Sequence, residues 1–115
     1  MDNCIFCAIA EHKIPSEIVY EDDLVVAFKD VKPIAPTHLL IIPKEHFRDF
    51  LEFSQSPRRA EISEALMHAI KTICEEQGIE SFHILNNCGE AHGQSVFHLH
   101  FHLISGVDLT KHISF

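Results

Sequence analysis

Apolar and polar positions change period several times along this chain. Between Cys4 and Lys13, Ile5 and Ile9 stand one helical turn apart with Phe6 and Ala10 beside them, which predicts a short amphipathic helix. Pro15 follows and ends it. Glu17 to Glu21 and Leu24 to Lys29 read as two strands around an Asp22-Asp23 turn. Val31 to Thr37, with Pro33 and Pro36, reads as a loop, and His38 to Ile42 as an apolar strand stopped by Pro43. The longest helical period runs from about Pro57 to Gln77, with Ile62, Leu66, Ile70, Ile73 and Cys74 as its buried stripe. Ser56 is placed to cap it, Pro57 suits its first position, and Gly78 closes it. Ser81 to Asn86 predicts a further strand, Val96 to Ser105 the last one, and residues 106–115 a tail. Strands joined by turns and interrupted by one long helix predict an α+β fold with an antiparallel sheet. No repeat, linker or low-complexity segment breaks the pattern, so residues 1–115 read as a single domain.

The last strand carries the chemistry. His98, His100 and His102 alternate with Leu99, Phe101 and Leu103. Successive strand residues point to opposite faces, so the histidines form one polar stripe in register with Val96. Phe97, Leu99, Phe101 and Leu103 are expected to face a core. Clustered imidazoles supply bases, nucleophiles and ligands that titrate near neutral pH. Two chemistries suit them: a catalytic zinc held by histidines, and nucleophilic attack by one imidazole that its neighbours position. An inert, histidine-rich surface strand is the bland alternative, and the strict strand period argues against it. Just upstream, Asn87-Cys88-Gly89-Glu90-Ala91-His92-Gly93-Gln94-Ser95 sets glycines beside short polar donors. Glycine permits close backbone approach, so this turn reads as an anion cradle leading into the stripe.

Charge narrows the partners. The formal net charge is −8, and the nine basic residues are scattered, with arginine only at 48, 58 and 59. Nucleic-acid binding needs clustered positive charge, so a polyanion is excluded as partner and a small phosphate compound is not. No apolar run approaches a membrane span, so no membrane partner is expected. The sequence opens Met1-Asp2-Asn3 without a basic stretch ahead of an apolar block, so no secretory leader is expected. Four cysteines in such a chain read as thiols, and the expected location is cytoplasmic.

The segment from Asn87 to Ile104 resembles the histidine-triad (HIT) family, whose signature is His-x-His-x-His followed by apolar residues. Ile5-Phe6 with Ile9, Tyr20-Glu21-Asp22, Ala27-Phe28-Lys29-Asp30, Ala35-Pro36-Thr37-His38 and Ile42-Pro43-Lys44-Glu45-His46 resemble its Hint branch in the same order. The resemblance implies a five-stranded antiparallel sheet with one long and one short helix, in a homodimer. It implies a hydrolase or nucleotidyl transferase acting at the α-phosphate of purine nucleoside phosphoramidates, with AMP- or GMP-like ligands and no cofactor needed for the chemistry. His100 takes the nucleophile's place, His102 contacts phosphate, and His98 and His38 support the site. Asp30 would accept the ribose hydroxyls, and Ile5, Phe6, Ile9, Phe28 and Val31 would form an apolar slot for the purine. Asn87 would contact sugar or phosphate, Ser95 a phosphate oxygen, and Gln94 would line the same pocket. From sequence alone the slot residues are ordinary core residues, and Gln94 is equally a residue that caps its own turn.

Cys4 and Cys7 stand three apart, which on a helix lets both sulfurs converge on one metal. By the resemblance, His46 and His98 complete a structural zinc site. A thioredoxin-like redox role lacks its strand-helix context. Two departures from the Hint pattern stand out: His92 where glycine is usual, and a tail from Gly106 to Phe115 that lacks a Trp-Pro-Pro-Gly ending. By the resemblance, His92 would narrow the phosphate pocket or add a donor to it, and the tail bears on leaving-group preference and the dimer. A dinucleoside polyphosphate hydrolase, a zinc-stabilised nucleotide-binding module without turnover, and a catalytic-zinc hydrolase remain alternatives.

Overall fold

A computed structural model describes residues 3–113. Helix α1 (Ile5–Ala10) is followed by strands β1 (Ile18–Glu21), β2 (Val25–Lys29) and β3 (Thr37–Pro43). Helices α2 (Phe50–Ser54) and α3 (Arg59–Gln77) come next, then β4 (His83–Leu85) and β5 (Phe101–Ser105). The five strands form one antiparallel sheet in the order β1-β2-β3-β5-β4. The α+β fold with one long and one short helix stands as expected from sequence. A second short helix, α2, was not expected; Asp49 caps it by accepting from the Glu52 N–H at 2.9 Å.

The two faces of the sheet are covered differently. Val25, Ala27, Leu39, Ile41, Leu99 and Leu103 pack under Ile62, Leu66, Ala69 and Ile73 of α3. On the opposite face Val26, Phe28, Leu40 and Ile42 pack against Phe6, Ile9 and Ala10 of α1. The central strands β2 and β3 are thus buried on both sides, which is why they read as unbroken apolar runs. Six-residue α1 covers only part of its face, and the histidines lie on that side.

Several boundaries differ from expectation. The α3 stripe is centred on Ala69, while Ile70 and Cys74 are only half-buried. Ser56 does not cap α3 directly; its Oγ accepts from the Arg58 N–H at 3.0 Å, a turn ahead of the helix. Gly78 closes α3 in the left-handed conformation as expected, at φ 65°. α1 stops at Ala10, before Lys13, because His12 turns to φ 60°. The histidine strand is shorter than Val96 to Ser105, since ladder pairing begins at Phe101. The cause lies in β3. Proline has no N–H, so Pro43 cannot extend the ladder, and Leu99 instead donates to the Phe47 carbonyl at 2.7 Å. Phe97 does not face the core; it is 38% exposed. Residues 114–115 of the expected tail, and Met1 and Asp2, lie outside the described residues.

Candidate active site and metal centre

The side-chain alternation survives even where the ladder ends. Leu99 and Leu103 are buried beneath α3, while His98 and His100 pack edge-on against Phe6 of α1. Each histidine has a different hydrogen-bond partner, and those partners fix which nitrogen carries the proton. His100 Nδ1 lies 2.8 Å from the His98 carbonyl, which can only accept, so Nδ1 holds the proton and Nε2 keeps its lone pair. His98 is the opposite tautomer: Nε2–H donates to the Pro43 carbonyl at 2.8 Å and leaves Nδ1 as the lone pair. The Ile34 N–H donates to His38 Nδ1 at 3.2 Å, so neutral His38 carries its proton on Nε2. That proton faces His102 Nδ1 at 2.9 Å, and the Asp30 carboxylate lies 3.4 Å from the same nitrogen. His102 therefore presents Nε2–H outward.

Burial favours the neutral form of the three triad rings, His98, His100 and His102. It lowers the pKa of His100 below the ordinary imidazole value, against the opposing effect of the His98 carbonyl bond. Burial also lowers His102 to about 4, helped by the positive potential of His100 and His38. An unprotonated Nε2 on His100 is the form a nucleophile needs.

His100 and His102 line a cavity of about 410 Å³ between α1, β2 and the glycine turn. Ile5, Phe6, Ile9, Phe28, Val31, Asp30 and Ser95 line it too, so the structure brings together most of the residues expected there. Asp30 Oδ1 accepts from the Lys32 N–H at 2.8 Å, which fixes the carboxylate at the cavity wall. Gln94 and Asn87 do not line this cavity. Gln94 is 3% exposed and its amide serves the backbone: Oε1 accepts from Gly89 N–H, and Nε2 donates to the Arg48 and Val96 carbonyls. Asn87 stands beside the glycine turn, its Nδ2 3.6 Å from where a Cβ on Gly93 would lie. Sequence reasoning passed over Asn86, which donates to the His100 carbonyl at 2.9 Å and holds the nucleophile's backbone. It also passed over Gly106. At φ 95° a Cβ there would stand 2.9 Å from Pro36, so only glycine lets the loop carrying Ile34 close against β5. His92 is exposed in a single turn of 3-10 helix over Glu90–His92.

The second cluster is Cys4, Cys7, His46 and His98, whose ligand atoms all lie within 4.8 Å of one another. His98 Nδ1 is 3.2 Å from Cys4 Sγ, 3.4 Å from Cys7 Sγ and 3.2 Å from His46 Nδ1. Cys7 Sγ is 3.4 Å from His46 Nδ1. Tetrahedral zinc with two sulfurs and two nitrogens sets its donors about 3.3 to 3.7 Å apart. The donor set and spacing therefore fit zinc. Burial and the adjacent Cys4 push the Cys7 thiol up to about 11; a bound cation reverses that by taking the thiolate. The triad does not converge on one ion: His98 turns to the cysteines, His100 to a carbonyl and His102 to His38. That removes the catalytic-zinc reading of the stripe.

A sequence model of the HIT domain matches residues 11–109. The chain belongs to the HIT family. Protein HitA of Neisseria gonorrhoeae is 46% identical over 105 residues, covering 90% of this chain and 96% of HitA. A HIT family hydrolase from Clostridium thermocellum superimposes with a TM-score of 0.87 at 44% identity, covering 95% of each chain. A 14 kDa zinc-binding protein of Brassica juncea is 43% identical over 105 residues, covering 89% of this chain and 91% of that protein. The HIT fold is thus common to this chain and to solved HIT family hydrolases. The four-donor cluster fits an optional structural zinc, which ties α1 to the sheet and, with four protein ligands, leaves no open position for substrate. Among the described residues no helix is long and apolar enough to cross a membrane.

Proposed function

We propose that this HIT protein hydrolyses purine nucleoside phosphoramidates at the α-phosphate through a nucleotidyl-His100 intermediate. One observation carries the reading: the His98 carbonyl holds the Nδ1 proton of His100, so a neutral Nε2 lone pair is left at the wall of a nucleotide-sized cavity. Nε2 attacks phosphorus, a P–N bond to His100 forms, and the P–N bond to the leaving amine breaks as the amine takes up a proton. Water then attacks the same phosphorus, returning His100 and releasing the nucleotide. His102 Nε2–H and the Ser95 hydroxyl donate to phosphate oxygens, and His38 orients His102. Asp30 accepts the ribose hydroxyls, and Phe6, Ile9, Phe28, Ile5 and Val31 flank the purine. Gln94 and Asn87 shape the turn that presents Ser95.

The zinc cluster stands apart from these steps, so the deciding measurement is turnover of an adenosine phosphoramidate before and after chelation. Retained turnover supports the reading. Loss that returns only with metal would give the ion a chemical role and overturn it.

The functional unit is a homodimer of one HIT domain per chain. Edge strand β4 exposes Ile84 and Leu85, and Phe82 beside it is 42% exposed, close to Met67 of α3 at 66%. Such an apolar edge calls for a partner. Light scattering at micromolar concentration checks it, and a monomer would overturn it. All four cysteines are free thiols, in keeping with a cytoplasmic setting.

A further inference from the structure

A second cavity, of about 930 Å³, opens beside the nucleotide pocket. The two share Ile5, Ser95 and Val96, so a group attached to a phosphate at Ser95 extends from one into the other. Arg48, Glu52 and Phe97 line this second space.

Arg48 is exposed yet restrained at three points. Its N–H donates to Glu52 Oε1 at 2.9 Å. Its carbonyl accepts from Gln94 Nε2 at 2.8 Å, and the same amide's Oε1 accepts from the Gly89 N–H. One buried side chain therefore bolts Arg48 to the glycine turn. Its guanidinium lies 5.4 Å from the centroid of the half-exposed Phe97 ring. Arg58 pairs with Glu45 and Glu61, whereas among the described residues Arg48 pairs with no carboxylate. Arg59 likewise has no carboxylate partner among the described residues and donates to the Ser56 carbonyl, so what sets Arg48 apart is its place next to the candidate phosphate site.

We propose that this cavity receives the departing group, and that Arg48 selects departing groups that carry an anion, either a carboxylate or a phosphate. The proposal rests on the reading that phosphorus is attacked at His100. A planar guanidinium donates in a fork that matches both anions, and stacking on Phe97 removes much of the freedom an exposed arginine would lose on binding. Glu52 makes no ion pair with the guanidinium; its Oε1 accepts from the Arg48 N–H instead.

Three adenosine phosphoramidates test this: one with a neutral leaving amine, one whose amine carries a carboxylate, and one whose amine carries a phosphate. Arg48→Ala is expected to lower kcat/KM for an anionic substrate about 10- to 100-fold more than for the neutral one, as loss of a charge-assisted hydrogen bond implies. Arg48→Lys should restore part of the difference. The carboxylate and phosphate arms show which anion the site was built for. A binding measurement accompanies the kinetics: calorimetric affinities for AMP and ADP, since ADP carries an extra phosphate where the leaving group belongs. The substitution should lower the affinity for ADP more than for AMP. Unchanged ratios in both measurements would overturn the subsite. A wild-type protein inert toward all three amidates would overturn the hydrolase reading, while the ADP-to-AMP ratio would still decide the subsite.

Discussion

Two clusters on the same face of the sheet bring potential metal ligands together: Cys4-Cys7-His46-His98 and Asp30-His38-His102. Distance alone does not separate them. Protonation does. In the first, the Pro43 carbonyl takes the Nε2 proton of His98, so Nδ1 points a lone pair at two sulfurs and a second imidazole. Once the thiols lose their protons, a cation is the partner those four donors share. In the second, the Ile34 N–H occupies His38 Nδ1, so Nε2 is a proton donor and His102 Nδ1 accepts from it. That cluster is satisfied as a hydrogen-bonded chain. A backbone carbonyl leaves the one with a donor set that fits a metal, and a backbone N–H makes the other a hydrogen-bonded chain that aims His102 outward. His100 lies between them, its own proton fixed by the carbonyl of His98.

The largest effect should come from that middle position. His100→Ala is expected to cut phosphoramidate turnover by more than about 10,000-fold, as removal of a nucleophile does elsewhere. Nucleotide affinity by calorimetry should change little, because the cavity walls remain. Near-normal turnover would mean that neither cluster brackets a nucleophile.

Cys4→Ser with Cys7→Ser breaks the first cluster alone. Metal analysis should find about one zinc per chain in the wild type and none in the variant. The melting temperature should drop by about 10 °C, since a tightly bound ion contributes several kcal/mol. His38→Gln should leave the zinc in place and lower kcat by up to about 100-fold, because His102 loses the group that orients it. Zinc loss in the His38 variant would erase the distinction between the clusters.

Asp30→Ala sharpens the role of the second cluster's carboxylate. Binding of a ribonucleotide should weaken about 10-fold more than binding of an analogue lacking both ribose hydroxyls. Equal losses would assign Asp30 to His38 alone.

The smallest effect is on pH dependence. Burial lowers the pKa of His100, so its neutral form persists as pH falls. The acid limb of kcat/KM should therefore lie below the usual imidazole value of about 6.5. Stability follows the same sign. Unfolded His102 takes up a proton near pH 6.5, while folded His102 resists until about 4. That contribution is complete above about pH 6.5 and is lost as pH falls toward 4. A limb above 6.5 would mean that the Asp30 carboxylate, which pulls the other way, outweighs burial at His100.

Much of this architecture was written locally. Strand period two put the histidines on one face and Leu99 and Leu103 on the other, and that held at His98 to His100, ahead of the ladder, though not at Phe97. Helix period 3.6 and Gly78 placed α3 within two residues. The Cys4 and Cys7 spacing allowed a metal, because residues three apart at a helix start bring side chains together, but His46 and His98 came only from the family resemblance. Tertiary structure decided what each histidine does. Tautomers depend on which carbonyl or N–H faces the ring, and those groups come from Pro43 and Ile34, neither of which the histidine pattern predicts. The same holds for Gln94, whose amide turned inward to join Gly89 to Arg48, and for Phe97, which sits at the surface beside a guanidinium. Periodicity is a property of neighbouring residues and is legible in the sequence. A hydrogen-bond partner or a stacking face comes from a distant segment, and it exists only once the chain has folded.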